Sequence, residues 1–177
     1  TYDVRGNITQ ISLNGNVVAT YTYDEFDQLI SETKNGVTTT WTYDAGGNIL
    51  TKSHGDTIIE YTYGDTEWKD LLTSYNGKNI TYDAIGNPLS IGTDTTLTWE
   101  AGRRLASITK EGITTSFIYN TDGYRTSKTS GGVTTTYHLD GGRITAMIKG
   151  TDELSFAYDE NGAVTALYHN GMAYAYA

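Results

Sequence analysis

Residues 35–48 read Asn35-Gly36-Val37-Thr38-Thr39-Thr40-Trp41-Thr42-Tyr43-Asp44-Ala45-Gly46-Gly47-Asn48. Asn35-Gly36 supplies two residues that tolerate φ > 0, as a two-residue type I′ hairpin turn requires. Thr and aromatic residues then alternate, which puts Trp41 and Tyr43 on one face of an extended chain and Thr40 and Thr42 on the other. The run closes on Tyr43-Asp44. There the carboxylate can accept a backbone N–H two residues on, and Gly47 permits a left-handed residue that a Cβ would oppose. This segment thus encodes one strand with a turn at either end.

The same pattern extends in both directions. Tyr-Asp recurs at Tyr2-Asp3, Tyr23-Asp24, Tyr82-Asp83 and Tyr158-Asp159. Degenerate copies are read at Tyr63-Gly64-Asp65, Trp99-Glu100, Tyr119-Asn120, Tyr137-His138 and Tyr176-Ala177. Between them lie hairpin turns at Asn14-Gly15-Asn16, His54-Gly55-Asp56, Asn76-Gly77, Glu111-Gly112, Gly131-Gly132 and Asn170-Gly171. About nine units of roughly 20 residues tile the chain, each one hairpin joined to the next by a Tyr-Asp-x-x-Gly-Asn turn. The expected fold is all-β: tandem β-hairpins forming a long coiled antiparallel sheet, with aromatic residues aligned along one face and Thr along the other. Only Asp65-Thr66-Glu67-Trp68-Lys69-Asp70-Leu71-Leu72 breaks the pattern, and it is read as a helical turn or a bulge.

Composition agrees. Among 177 residues there are 31 Thr, 20 Gly and 15 Tyr, over a third of the chain, against one Pro and no Cys. Tyr and Thr favour strands, so a helical bundle is excluded, and the aromatic content argues against disorder. Without Cys there is no disulfide framework, zinc ribbon or thiol nucleophile. No apolar run approaches the ~20 residues of a membrane helix. The net charge of −9 repels phosphate backbones, and no basic run offsets it, so nucleic acid is not an expected partner.

Tyr-Asp-x-x-Gly-Asn, a hydrophobic pair, an Asn-Gly-type turn and a Thr-Tyr-Thr-Tyr-Asp return closely resemble the YD repeat of Rhs-type proteins. That group includes bacterial polymorphic toxins, Gram-positive wall-associated proteins, the C component of insecticidal toxin complexes, and the teneurins. The resemblance spans essentially all of residues 1–177, so the chain is read as one YD-repeat array and a fragment of a larger protein. It implies a segment of a spiral β-shell that, in toxin members, encloses a C-terminal effector. The family's core also carries an Asp-dependent self-cleavage site near an Asp-Pro-x-Gly-type motif. Pro88, the one proline, follows Asn87, so no cleavage role carries over.

The function expected on these grounds is a non-enzymatic structural module of a secreted or cell-surface bacterial protein. Its partners would be the rest of its own shell and the enclosed effector. The alternative is an extracellular adhesion or carbohydrate-binding repeat module, with Trp41, Trp68 and Trp99 as the rings to test on a glycan. Open sheet edges suggest edge-to-edge self-association as well. No catalytic, cofactor-binding or metal-binding residue is assigned. Asp3, Asp24, Asp44, Asp83 and Asp159 recur with the turns, as caps do, whereas a catalytic acid is needed once. His54, His138 and His169 are read as exposed residues in or near turns, too far apart to form a zinc site. Asn7-Ile8-Thr9 and Asn79-Ile80-Thr81 match the glycosylation acceptor pattern by chance, a pattern silent in a bacterial protein.

Overall fold

The computed structural model describes residues 1–175, and the copy expected at Tyr176-Ala177 lies outside them. The described residues form eighteen β-strands and no helix. Two compact units divide the chain, Thr1–Thr81 and Tyr82–Ala177. In the first unit the strands are β1 (Gln10–Leu13), β2 (Asn16–Tyr23), β3 (Leu29–Lys34), β4 (Val37–Tyr43), β5 (Ile49–His54), β6 (Thr57–Thr62), β7 (Ser74–Tyr75) and β8 (Lys78–Tyr82). Each pairs antiparallel with the next.

The second unit contains β9 (Pro88–Ile91), β10 (Thr95–Glu100), β11 (Arg104–Lys110), β12 (Ile113–Tyr119) and β13 (Arg125–Ser130). It continues with β14 (Val133–Asp140), β15 (Arg143–Lys149), β16 (Asp152–Tyr158), β17 (Val164–His169) and β18 (Met172–Ala175). These too pair antiparallel in chain order. Pro88 opens a strand, a position where its missing N–H costs little.

The hairpin turns follow the Asn-Gly signal. Asn35 and Gly36 have φ of 52° and 76°, and Asn14-Gly15, Asn76-Gly77, Glu111-Gly112 and Asn170-Gly171 are positive at both positions too, as type I′ requires. At Gly55-Asp56 and Gly150-Thr151 only the first residue is positive, the pattern of type II′. Gly150-Thr151 and the three-residue link Gly92-Thr93-Asp94 are hairpin connections that the Asn-Gly signal does not reveal.

The connecting turns carry a further device. Register slips by one residue between Thr22 and Tyr23, Thr42 and Tyr43, Thr98 and Trp99, Ile118 and Tyr119, and Ala157 and Tyr158. Such a bulge sharpens the twist and re-aims the side chain beside it. Here it sends the ring's polar tip to the carbonyl that follows the preceding turn. The Tyr23 hydroxyl donates to Ile8 O at 3.0 Å, Tyr43 to Leu29 O at 2.7 Å, Tyr119 to Leu105 O at 3.0 Å and Tyr158 to Ile144 O at 2.6 Å. Trp99 Nε1 does the same to Pro88 O at 2.7 Å.

The bulge corrects one repeat assignment. In β14 the slip falls between His138 and Leu139, and Asp140 pairs with Arg143 across Gly141-Gly142. Leu139-Asp140 therefore holds the Tyr-Asp position, two residues beyond Tyr137-His138. Residues 65–72 form no bulge and no helix beyond a single turn. Leu71 N donates to Trp68 O at 3.0 Å, which closes a single turn in a loop anchored by Asp65 Oδ1.

The two faces of each sheet differ as the alternation requires. One carries Ser and Thr, linked across strands by hydroxyl pairs at Thr33–Thr38, Thr42–Thr51, Thr98–Ser107, Thr109–Thr114 and Thr129–Thr134, 2.6–2.9 Å apart. The other carries the aromatic and aliphatic side chains. Their rings are spaced by polar neighbours rather than stacked: the ring–ring contact found is Tyr61–Tyr75, edge-on at 5.3 Å. Cations fill such gaps, with Lys52 over Trp41 and Arg125 over Phe117. Among the described residues Ala19 is the one buried hydrophobic side chain, so neither unit covers its aromatic face with a second layer.

Candidate functional surfaces

The Tyr-Asp turns were the residues most open to a catalytic reading, and their geometry accounts for the carboxylates. Asp44 Oδ1 accepts the backbone N–H of Gly46 at 2.8 Å and of Asn48 at 2.9 Å, while Oδ2 accepts Asn48 Nδ2 at 3.0 Å. Asp3, Asp24, Asp83 and Asp159 make the same pair of backbone bonds to the second and fourth residues after them. Asn120 substitutes its amide oxygen, capping Tyr124 N at 2.9 Å. The bond to the second residue was expected; the one to the fourth was not.

These bonds favour the ionised form. The Asn48 side chain and then its backbone N–H hold Asp44 below its ordinary value. For Asp3 and Asp83 the backbone N–H groups of Asn7 and Asn87 are the leading cause of the same shift. Successive turns are also stitched together. Asn7 Nδ2 donates to Asp27 Oδ1 at 2.7 Å, Asn48 Nδ2 to Asp70 Oδ1 at 3.3 Å and Asn87 Nδ2 to Gly102 O at 2.6 Å. Arg5 Nη1 reaches Asp27 Oδ1 at 3.2 Å. The carboxylates are thus engaged in holding turns, and no group of three or more His, Cys, Asp or Glu among the described residues could hold a metal ion.

The structure separates the three tryptophans. Trp41 is half-buried beneath Lys52, and Trp99 is tied to Pro88 O, whereas Trp68 stands 47% exposed in the loop after β6. The histidines stay apart as well. His54 Nδ1 bonds Thr39 Oγ1 at 2.7 Å, and His169 Nε2 lies 3.8 Å from Asp152 Oδ1. His138 sits within strand β14, not in a turn, and is exposed.

Residues 2–35 match the RHS Repeat family model. Over 164 residues, 87% of this chain, the sequence is 31% identical to the tRNA3(Ser)-specific nuclease WapA of Bacillus spizizenii. Over 150 residues, 79% of the chain, it is 31% identical to the tRNA nuclease WapA of Bacillus subtilis. The chain is an RHS-repeat (YD-repeat) array. It spans 7% and 6% of the length of those two relatives. Solved structures similar to it include TcdB2-TccC3-TEV, at 14% identity with a TM-score of 0.49, covering 96% of this chain and 12% of that one. The Photorhabdus luminescens Tc holotoxin pore matches at 14% identity with a TM-score of 0.43, covering 96% and 12%. As an RHS-repeat array the chain is a structural repeat module, and no helix in it is long and apolar enough to cross a membrane.

Proposed function

We propose that this RHS-repeat array is a wall segment of a larger secreted or cell-surface bacterial protein, and that the wall encloses and presents a C-terminal effector. The observation that carries the reading is the two-faced single layer. One face is a bonded hydroxyl surface, while the other is aromatic and aliphatic yet holds a single buried hydrophobic residue, Ala19. A sheet built this way keeps one mixed apolar and cationic face uncovered, as a wall that lines an enclosed space requires. The relatives support a wall within a long chain, because the match occupies only 7% of a nuclease. The array's work is steric, and any reaction belongs to sequence outside it.

Limited proteolysis of the parent protein tests this. Its C-terminal domain is expected to be cut at least about tenfold more slowly within the parent than when expressed without the repeats. Equal rates would overturn the proposal. Of the three tryptophans Trp68 is the exposed one, and its ring favours the adhesion alternative. A glycan array with the Trp68→Ala control addresses it: binding lost in the variant supports adhesion, and silence with the unmodified chain removes it.

A further inference from the structure

Lysine is concentrated on one face. Strand pairing puts Lys34, Lys52, Lys78, Lys110, Lys128 and Lys149 all on the aromatic face, leaving Lys69, in the loop after β6, as the one lysine off it. Most carboxylates lie in the turns and loops between strands, with Glu60 and Glu153 on the hydroxyl face, and Glu32, opposite Tyr21, and Asp152, opposite Lys149, on the aromatic face. A repeat position underlies this. The last strand residue before the hairpin turn is Lys34, His54, Lys110, Lys149 or His169 in five of the nine hairpins, and Leu13, Tyr75, Ile91 or Ser130 in the other four. A chain of net charge −9 therefore sets lysines on the aromatic face within each of its units.

In the second unit two of these lysines border a depression. Lys128, Ser130, Val133, Thr135 and Lys149 surround about 330 Å³. It adjoins a second of about 230 Å³ that shares Thr135 and Lys149 and adds Met147, Asp152, Leu154 and His169. Lys128 and Lys149 each pair with Thr135, so they stand one strand to either side of it, roughly 10 Å apart. Among the described residues no carboxylate oxygen lies within 4.0 Å of either ammonium. Asp152, across the turn from Lys149, instead accepts Asn170 Nδ2 at 3.3 Å and lies near His169. Two ammonium groups thus flank a trough along which Val133, Met147 and Leu154 lie, with Asp152 opposite Lys149 at its far side.

We propose that this trough binds an acidic segment of a partner polypeptide, with carboxylates on Lys128 and Lys149 and apolar side chains on Val133, Met147 and Leu154. The chemistry disfavours nucleic acid. The acidic turns and the net charge of −9 oppose a dense phosphate backbone. The site stands whether or not the array encloses an effector.

The test uses the 177-residue chain at low salt, with a fluorescein-labelled peptide of alternating Glu and Ala and a labelled single-stranded oligonucleotide. Fluorescence anisotropy is expected to show peptide binding that weakens with added salt. The double variant Lys128→Gln/Lys149→Gln is expected to lose roughly tenfold in affinity. Lys69→Gln should bind as the unmodified chain does, and circular dichroism of all three should superimpose. No peptide binding, equal binding by the double variant, or tighter binding of the oligonucleotide would overturn the assignment.

Discussion

The Asp of each connecting turn shows how one carboxylate fixes a local fold. Asp44 binds two backbone N–H groups through one oxygen and the Asn48 amide through the other. That these Asp residues act as turn caps was legible in their recurrence with the turns. The partnership with the Asn four residues after the Asp was not, because it depends on how tightly the turn closes. Asp3, Asp44 and Asp83 are all held below the ordinary carboxylate value. A pKa lower in the folded chain means that the unfolded chain binds more protons between the two values, so stability falls with pH there. The stabilisation is complete above the unfolded value near 3.8 and is lost as pH drops through the depressed folded values. Thermal unfolding followed from pH 7 to 2 should therefore show a steep acid limb beginning near pH 4. Asp44→Asn should lower the melting temperature at pH 7 and flatten that limb, since an amide oxygen caps without titrating, as Asn120 does. An unchanged limb would assign the acid sensitivity to other carboxylates.

At the scale of the element, the hairpins were readable wherever two consecutive residues both take positive φ. Asn35-Gly36 is found where the sequence places it, with φ of 52° and 76°. Gly150-Thr151 escaped because only one of its residues needs that conformation, and a lone Gly is a weak signal. Leu139-Asp140 escaped because a bulge, invisible in the sequence, sets which residue stands at the strand end. The same bulge aims the Tyr hydroxyls at backbone carbonyls, a role that no spacing announces. Turn glycines differ in consequence. A Cβ on Gly36 would meet nothing within 4 Å, whereas on Gly162, at φ 83°, it would fall 2.7 Å from Arg143 Cζ. Arg143 packs over the Tyr158 ring, so a displaced guanidinium forfeits that contact. Gly36→Ala should cost about 1–2 kcal/mol for the left-handed residue alone. Gly162→Ala should cost that and roughly 0.5–1 kcal/mol more. Denaturant unfolding of the two variants checks the order, and equal losses would mean that Arg143 moves aside freely.

For the whole molecule, the deciding quantity is surface left uncovered. The chain exposes 11972 Å² at a mass of 19.4 kDa. Even two separate compact domains of half that mass would together expose only roughly 10,000 Å². Part of the excess lies on the aromatic faces, where Ile59, Phe117 and Leu154 are only half-buried and Met172 and Tyr174 are exposed. Strand alternation made the existence of two unlike faces legible, but not that one would remain uncovered, since alternation reads the same in a two-layer sandwich. What distinguishes them is the Lys and Arg set among the rings, as at Trp41–Lys52 and Phe117–Arg125, which a dry interface would exclude. Stability in such an array comes from each hairpin's own pairing and its contacts with the next, as in other repeat proteins. Less surface is buried on folding than in a compact protein of equal length, and the denaturant slope m scales with that surface. Guanidinium unfolding of the isolated chain at low concentration should accordingly give an m-value well below that of a two-layer protein of 177 residues. Raising the protein concentration tests what the uncovered face seeks. If the slope and midpoint climb together, chains are burying aromatic faces or sheet edges against one another. A full-sized m-value already present at the lowest concentration would mean that the faces are covered within one chain, and the single-layer account would fail.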